Sequence, residues 1–453
     1  MNKCNLSGLT RAFTTVLFLL SFSGNAQDAA FTLEEAITYG IRNNLTIQNS
    51  KIDQSSADAR IGELRAIGLP QINASLNYTN NAIVPRFFVP ANQFDPSAPA
   101  GDVIALKFGV THSPSAMMSL SQLVFDASYL IGLRAAATYK ELAVKNTKMS
   151  EIQIAEAITK AYYNVMINEE RLGLLQVNVS RLDTLFEETK HLNNEGFVEQ
   201  LDVDRLEVQR NNLMTEMQNV ERIQELALSL LKFQMTFPQN EPLQLKDKLS
   251  DVNIEQITAI RTGDFSEYSQ RIEFSTLQVQ EELQVMDIRN ITAGYYPSLS
   301  LNANYGYATG TDYFKMLFQQ PWFNQATIGL TLSVPIWDSF SKKNRIIQSR
   351  NELSKILNNQ QLLKQSINLE VVQAEIQLEN LARQLKERQR NLNLAEEVIR
   401  VTKIKYQEGV GSNIEVINAE SSFKEAHTNY YAALYDLMLA RVDLLKSKGE
   451  LYK

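Results

Sequence analysis

The chain has 453 residues, of which 44% are hydrophobic, and its 44 basic and 51 acidic side chains give a formal net charge of −7 at pH 7. This acidic balance is the opposite of the one that nucleic-acid-binding proteins carry, so we expect no nucleic-acid partner. A single cysteine, Cys4, excludes a disulfide framework within the chain.

Residues 1–26 have the order of features found in an export signal. Lys3 and Arg11 give a positive start, the stretch 12–22 is mostly apolar but too short to span a bilayer, and small residues precede a cut after Ala26. A buried N-terminal helix is the alternative. Cleavage would remove the cysteine and both basic residues, leaving 42 basic and 51 acidic side chains and a charge of −9.

The chain contains an internal duplication. A segment that begins at Pro70 resembles one that begins at Pro297, 227 positions later, whereas two further pairs of segments are 212 and 213 positions apart. The recurring segments are 70–78 and 297–305, 120–126 and 332–338, and 195–198 and 408–411. One connection in the first copy is therefore about fifteen residues longer than its counterpart, and the pattern predicts two copies of one structural unit.

The predicted elements recur in the same chain order in both repeats. The first repeat, 27–262, has a helix at 28–69, strands at 70–80 and 116–126, a helical hairpin at 127–236 and a linker at 237–263. The second repeat, 263–453, has a helix at 264–296, strands at 297–309 and 325–337, a helical hairpin at 339–447 and a C-terminal tail. The connections 80–115 and 310–324 are rich in Pro, Gly, Asn and aromatic residues and are predicted to be exposed loops.

Of the four predicted strands, those at 70–80, 297–309 and 325–337 alternate cleanly between apolar residues and small uncharged polar residues. Each is about ten residues long, as a tilted membrane strand is, and no run after the signal approaches the roughly 20 apolar residues of a membrane helix. A half-buried strand of a soluble sheet is the alternative. Four strands cannot close a barrel and an open edge cannot lie in lipid, so we expect three copies to share about twelve strands.

The two predicted hairpins consist of long helices. The stretches 115–237 and 336–453 contain no proline, and apolar residues in them recur three and four positions apart. That spacing keeps one face on a partner when helices supercoil around each other. Gly196 and Gly409 each interrupt the pattern once and are the expected left-handed caps at the turns. The arm at 127–194 would be about 100 Å long; a soluble coiled-coil spacer is the alternative.

The second turn carries the most specific pattern in the chain. Residues 406–419 read Tyr-Gln-Glu-Gly-Val-Gly-Ser-Asn-Ile-Glu-Val-Ile-Asn-Ala, and residues 194–203 are similar. The pattern resembles the turn of the TolC family of outer-membrane efflux proteins, and the likeness covers nearly all of the chain after the signal. It implies a mixed α+β fold, mostly of long antiparallel coiled-coil helices. Three protomers would share a 12-stranded transmembrane β-barrel, four strands each, joined to an α-helical tunnel with an equatorial belt at 237–263.

The resemblance also implies partners and a function. The chain would be a homotrimer in contact with the lipid of a Gram-negative outer membrane, with its helical tunnel in the periplasm. A periplasmic adaptor protein and an inner-membrane pump of the RND or ABC type would open this passive conduit for efflux or type I secretion. A non-pore periplasmic adaptor or structural spacer is the alternative. Adaptors usually have one hairpin, however, whereas this chain has two, each preceded by membrane-type strands.

Residues at the tunnel tip can be matched to the family one at a time. Tyr406 corresponds to an aromatic residue that helps to hold the tip closed, and Asp202 to an acidic partner from the first hairpin. Glu415 and Asn418 fall where the family places two acidic rings at the narrowest entrance, and only Glu415 keeps the charge. The alternative for Asp202 and Glu415 is a pair of solvated carboxylates at the turns.

The basic residue that the family uses at the tip is absent. It would fall at Gly411, so the charge-linked latch implied by the resemblance lacks one partner here. Glu408 and Asn413 are candidates to replace it. Gly196, Gly409 and Gly411 complete the set of residues that we assign to the hairpin turns.

Residue patterns that would indicate catalysis are missing from the sequence. His112, His191 and His427 lie in separate predicted elements without ligand spacing. No glycine-rich loop with a following lysine indicates a phosphate site, and no pair of catalytic carboxylates stands out. We therefore predict no enzymatic activity, no metal and no cofactor.

Overall fold

The computed structural model describes residues 29–249 and 268–452. The predicted export signal at 1–26 lies outside the described residues, as do residues 250–263 of the predicted linker and the start of the helix predicted at 264–296. Among the described residues, no helix combines enough length with enough apolar character to cross a membrane.

Long helices and a small sheet make up the described chain. Its helices are α1 (Leu33–Asn43), α2 (Leu45–Ile67), α3 (Ala127–Asn194), α4 (Gln200–Met235), α5 (Ile272–Ala293), α6 (Ser341–Gln407) and α7 (Asn413–Lys448). Its strands are β1 (Ala29–Phe31), β2 (Gln71–Asn80), β3 (Arg86–Pro90), β4 (Val103–Lys107), β5 (His112–Phe125), β6 (Leu243–Leu245), β7 (Ser298–Ala308) and β8 (Phe323–Ser333). Each repeat places two strands of the main sheet before an antiparallel helix pair, which confirms the predicted fold class and its duplication.

The main sheet has one mainly apolar face and one mainly polar face. Its four strands are antiparallel and lie in the order β2-β5-β7-β8. Their register forms an apolar row across one face from Ile72, Leu120, Ala303 and Ile328. The neighbouring row on the other face is polar and consists of Asn73, Ser119, Asn304 and Thr327. The alternation seen along single strands thus continues across the whole sheet.

The outer strands β2 and β8 leave the main sheet with two open edges. Every residue of both strands is exposed in the single chain, and among the described strands each has a neighbour on one side only. Unpaired backbone N–H and C=O groups cannot be accommodated in lipid, where no water satisfies them. The sheet of one chain is therefore incomplete as a membrane structure.

The long helices form one bundle in the middle of the molecule. Helix α3 has 68 residues and α6 has 67, so each extends about 100 Å. Helix α3 packs against both α4 and α7. The largest apolar cluster joins all four helices through side chains that include Ile158, Leu231, Leu378 and Leu437. Burial of each such side chain contributes about 1.5–3 kcal/mol, and this burial holds the two hairpins together.

The segment predicted as one helix at 28–69 is divided into β1, α1 and α2. The break falls at Asn44, whose backbone is extended. Its side chain accepts a hydrogen bond from the N–H of Thr46 at 2.9 Å and donates one to the carbonyl of Gln234 at 3.2 Å. A contact with α4, distant in sequence, thus fixes a cap that apolar periodicity did not reveal.

The connection at 80–115, predicted as an exposed loop, contains the β3–β4 hairpin, and β5 begins before the predicted position 116. Asp312, in the β7–β8 connection, accepts a hydrogen bond from the N–H of Thr111 at 3.0 Å and pairs with Lys107 at 2.8 Å. The two loops at this end of the sheet therefore support each other across the repeats.

Around the middle of the bundle, the start of the described chain pairs with the linker, and the end of α7 contacts the N-terminus of α5. Strand β1 pairs in parallel with β6. The Tyr162 hydroxyl of α3 lies 3.0 Å from the carbonyl oxygen of Phe31 and 2.9 Å from Asp247 Oδ2. The buried Arg271 guanidinium pairs with Glu370 at 2.9 Å and donates to the carbonyl of Ser447 at 2.9 Å. The first two of these contacts hold the described part of the linker, 237–249, against α3.

Candidate functional site at the tip of the helical hairpins

Each hairpin reverses through a short turn that depends on glycine. Gly196 and Gly409 have φ values of +81° and +74°, a left-handed conformation that residues with a Cβ rarely adopt. Gly411 instead lies close to the end of α6, where its N–H donates to the carbonyl of Lys405 at 3.0 Å. A Cβ at this position would lie 3.1 Å from atoms of Lys405, so the turn is packed too closely for a side chain to be added freely.

Two hydrogen bonds connect the first hairpin to the second at the tip. The Tyr406 hydroxyl of α6 lies 3.4 Å from the Thr189 hydroxyl of α3. The Asn413 side-chain amide of α7 donates to the backbone carbonyl of Asp202 in α4 at 2.9 Å. Asn413 is only 4% exposed, and its Oδ1 atom has no hydrogen-bond partner within the described part of the chain. We refer to these two bonds as the tip latch.

Apolar contact supports the tip latch. Val416 of α7 is fully buried in a cluster whose other fully or largely buried members come from α3 and α4, among them Leu185, Leu206 and Leu213. Below this cluster, a cleft of about 1020 Å³ opens between the two turns and is lined by residues of both. The hairpins thus share an apolar cluster near the tip, while the turns themselves stay apart across the cleft.

The structure places the predicted site residues in two groups. Tyr406 and Asp202 lie in the interface between the hairpins, although Tyr406 bonds to Thr189, and the Asp202 carboxylate pairs at 3.6 Å with Arg205 on its own helix. Glu415 and Asn418 lie on the exposed surface at the start of α7. The Glu415 N–H donates to the Ser412 hydroxyl, which caps that helix.

Thr189 is the tip residue that the sequence analysis missed. It is fully buried, and it lies three positions after Phe186, where the apolar seam of α3 would continue. A hydroxyl in an apolar seam was the available signal, because a buried hydroxyl requires a hydrogen-bond partner. Asn413, by contrast, was considered as a replacement for the missing basic residue, and it does link the two hairpins.

Comparison with known proteins agrees with this architecture. Residues 274–450 match the family model for outer membrane efflux proteins. The chain is also 18% identical, over 443 residues, to outer membrane protein TolC of Vibrio cholerae serotype O1, across 96% of this chain and 95% of that protein. The chain is therefore similar to outer membrane efflux proteins, and the family model covers most of its second repeat. The matched family is described as one of outer membrane efflux proteins, and the matched relative as an outer membrane protein.

Two solved structures show the same fold as this chain. CusC, whose structures concern folding and transmembrane channel formation, has a TM-score of 0.72 at 13% identity, with 92% of each chain covered. The outer membrane protein VceC of Vibrio cholerae has a TM-score of 0.69 at 12% identity, with 92% of this chain and 96% of VceC covered. The tunnel-and-barrel architecture is thus shared at very low sequence identity.

A layer of charged residues lies among the apolar side chains of the four long helices above the tip. Glu216 of α4 pairs with Arg171 of α3 at 3.5 Å and with Lys424 of α7. Further along, Lys403 of α6 pairs with the buried Glu420 of α7 at 2.6 Å. Burial lowers the pKa of Lys403, although the Glu420 carboxylate favours its charged form. These pairs connect α3 and α4 of the first hairpin with α7, and α7 with α6.

His427 of α7 lies beside this layer and is only 7% exposed. Its ring packs against Tyr431, with centroids 4.6 Å apart, and its Nε2 atom has no partner within the described chain. Burial, and secondarily the charge of Arg171, lowers the pKa of His427 to about 4. The imidazole is therefore neutral at pH 7, as an apolar position requires.

We expect acid to weaken the tunnel at His427. Because its pKa falls from about 6.5 in the unfolded chain to about 4 in the fold, the unfolded state binds more protons between these values. Stability is highest above pH 6.5 and falls by up to about 3 kcal/mol per protomer as the pH drops to 4. Melting in detergent between pH 7 and pH 4 measures this loss. His427→Phe should reduce the dependence of the melting temperature on pH, whereas the control His191→Gln, at an exposed position, should leave it unchanged. The same pH dependence in the wild type and in His427→Phe would exclude His427 as the cause.

Proposed function

We propose that this protein is the outer-membrane channel of a tripartite efflux or type I secretion system. It is a passive conduit from the periplasm to the exterior and is gated at the tip of its helical tunnel. One observation carries the proposal: a sheet with an apolar face, a polar face and two open edges is joined to hairpins about 100 Å long. A closed set of such sheets encloses water within lipid, and the hairpins extend that enclosure beyond the membrane.

The open edges favour a homotrimer. Three copies would pair β8 of one protomer with β2 of the next and give twelve strands, an even number within the range of outer-membrane barrels. The helices also have exposed apolar side chains that would lie at the boundary between protomers. On α4 and α6 these are Val208, Leu226, Leu230, Phe233, Leu362, Leu369, Val372, Ile376, Leu394 and Val398. In a monomer these side chains would remain exposed to water, which is unfavourable for so many apolar groups on one molecule.

The tip is the proposed gate. In this proposal Tyr406 and Asp202 belong to the latch, and Glu415 and Asn418 line the entrance that the turns at Gly196, Gly409 and Gly411 surround. The latch consists of hydrogen bonds between neutral groups, since Asn413 donates to a backbone carbonyl and Tyr406 meets a hydroxyl. Such a latch resists salt better than an exposed ion pair, whose attraction is screened.

The conduit itself needs no cofactor and no catalysis, because transport through it is driven from elsewhere. In this proposal, an inner-membrane pump of the RND or ABC type supplies the energy, and a periplasmic adaptor connects that pump to the tip. The resemblance of the turns to the TolC family supports both partners.

The alternative is an adaptor or spacer without a pore. The four-stranded sheet with its apolar face disfavours it, since a soluble spacer would expose that face to water. Two measurements separate the proposals. A channel should purify from outer-membrane fractions as a heat-resistant trimer and conduct ions in planar bilayers. A monomer that does not conduct would overturn the channel proposal.

Glu415 allows the entrance to be tested. Three Glu415 carboxylates around a narrow pore would attract cations, as rings of acidic side chains do in cation channels. We expect Glu415→Gln to weaken block by a multivalent cation such as hexaamminecobalt(III) by about tenfold, which corresponds to roughly 1.4 kcal/mol. Single-channel recording measures the block. The control Glu387→Gln removes the same charge from the exposed surface of α6 and should leave it unchanged; unchanged block in both variants would remove Glu415 from the constriction.

A further inference from the structure

The connection between β8 and α6 exposes large apolar side chains at the end of the sheet nearest the helices. Ile336 is 93% exposed and Trp337 is 70% exposed, and Val334 and Phe340 are more than half exposed. The corresponding first-repeat residues Val124 and Phe125 are also exposed, at 53% and 47%, but α3 follows β5 after one residue, whereas seven residues separate β8 from α6. The longer connection in the second repeat thus enlarges an exposed apolar surface at this end of the sheet, and a large exposed apolar surface indicates a contact site.

The backbone holds this surface in an unusual conformation. Ser339 and Phe340 have φ values of +54° and +67°. The left-handed region is uncommon for any residue other than glycine, and for a bulky one it is an outlier. The strained turn brings the Phe340 ring against that of Trp337, with centroids 4.8 Å apart and planes at 73°. The two rings thus form one rigid exposed unit.

One basic side chain borders the Phe340 ring, and a second follows two positions later in α6. The Lys343 Nζ atom lies 5.6 Å from the centre of the Phe340 ring. Lys342 is neutralised by Asp338 at 3.1 Å. Lys343 and Arg345 are exposed, and neither forms an ion pair with any residue that the structure describes. We call the group of Ile336, Trp337, Phe340, Lys343 and Arg345 the junction patch.

The position of the junction patch identifies its surroundings. Ile328, Leu330 and Leu332 lie on the apolar face of the sheet, and Val334 and Ile336 continue their spacing of two beyond its end. The patch is thus contiguous with the lipid-facing surface and lies where the sheet gives way to helices. Aromatic residues concentrate at this depth. Lysine and arginine there meet phosphate groups and are attracted most to lipids with net negative charge.

We propose that the junction patch binds the headgroup of an anionic phospholipid in the periplasmic leaflet. Lys343, beside the Phe340 ring, contacts the lipid phosphate, Arg345 adds positive charge nearby, and Trp337 and Phe340 lie against the glycerol region and the start of the acyl chains. The inference rests on the proposed membrane channel and adds a lipid partner of defined charge. Each protomer has one such site, so a trimer holds three lipids.

Native mass spectrometry of the full-length trimer tests the proposal. The trimer is mixed with phosphatidylglycerol, which is anionic, or with phosphatidylcholine, which carries the same phosphate but no net charge. We expect up to three phosphatidylglycerol molecules per trimer and at least fivefold less phosphatidylcholine. Lys343→Gln with Arg345→Gln should lower phosphatidylglycerol retention at least fivefold. The control, Lys386→Gln with Arg390→Gln, removes the same charge from the same helix about 60 Å away and should retain the lipid.

Several results would overturn this site. Equal retention of the two lipids by the wild-type trimer would do so, as would equal loss in both double variants. A Trp337→Ala variant that gives fewer heat-resistant trimers but retains as much lipid as the wild type would show that the two rings contact a neighbouring protomer and not lipid. Should the double variant at Lys343 and Arg345 fail to form trimers, the wild-type trimer is measured at high salt. Its preference for phosphatidylglycerol over phosphatidylcholine must disappear there; a preference that persists overturns the site. Ion conduction is recorded in parallel, because a trimer that conducts without preferring anionic lipid disproves only the lipid site.

Discussion

Leu330→Arg should prevent insertion of the trimer into the outer membrane. Leu330 is 68% exposed on the apolar face of β8. Because that face meets lipid in the proposed barrel, an arginine there costs about 2–4 kcal/mol near the middle of the bilayer. Every trimer has three copies of the substitution, so the penalty is threefold. The measurement is the yield of heat-resistant trimer in outer-membrane fractions, and we expect it to fall at least tenfold.

The adjacent residue provides the control. Thr331 follows Leu330 in β8 and points to the opposite, polar face, in the row with Ser300. Thr331→Arg adds the same side chain at nearly the same depth but would face water inside the barrel. We expect trimer yield to remain within about twofold of the wild type and cation conductance to decrease, because the pore gains three positive charges. Normal insertion of the Leu330 variant would place water, not lipid, against the apolar face.

Removal of the tip latch should open the tunnel. Asn413→Ala deletes the buried amide bond to Asp202, and Tyr406→Phe deletes the hydroxyl contact with Thr189. Loss of a typical hydrogen bond costs about 1 kcal/mol of stability. Where the remaining partner is left buried without a hydrogen bond, the cost is about 1–3 kcal/mol. The double variant should therefore favour separation of the hairpins by about 2–4 kcal/mol per protomer. Single-channel conductance should increase severalfold while trimers remain intact.

A matched double variant distinguishes the latch from general loosening. Asn211→Ala and Tyr139→Phe remove the same two functional groups from exposed positions on α4 and α3, and conductance should not change. The salt dependence provides a second criterion. Because the latch bonds join neutral groups, closure of the wild-type channel should vary little between 0.1 M and 1 M salt. Strong opening at high salt would instead indicate an ionic latch.

Much of the fold could be predicted because its signals are local. The strand beginning at Gln71 alternates between two environments, and alternate residues of a strand necessarily face opposite sides. The seams that include Ile158, Leu378 and Leu437 recur at helical spacing, and all three residues are buried in the common core. Gly196 and Gly409 have the left-handed φ that their places after long helices indicated. Each of these signals concerns the relation of a residue to its near neighbours in sequence.

The rest depended on contacts between segments far apart in sequence. Asn44 divides the first helix because Gln234, 190 positions away, accepts its amide hydrogen bond. Tyr406 was matched with Asp202 as a latch pair, yet the fold places the Thr189 hydroxyl against it. The neutral state of His427 likewise follows from burial between helices.

The sequence by itself determined the duplication, the alternating strands, the long helices and the positions of their turns, because periodicity and glycine placement act over a few residues. Only the tertiary structure decided which side chains meet at the tip, where the first helix breaks and which sheet edges remain open. Those features depend on how helices about 100 Å long align side by side. A rotation of one helix by a single residue changes every partner along it without altering the periodicity of the sequence.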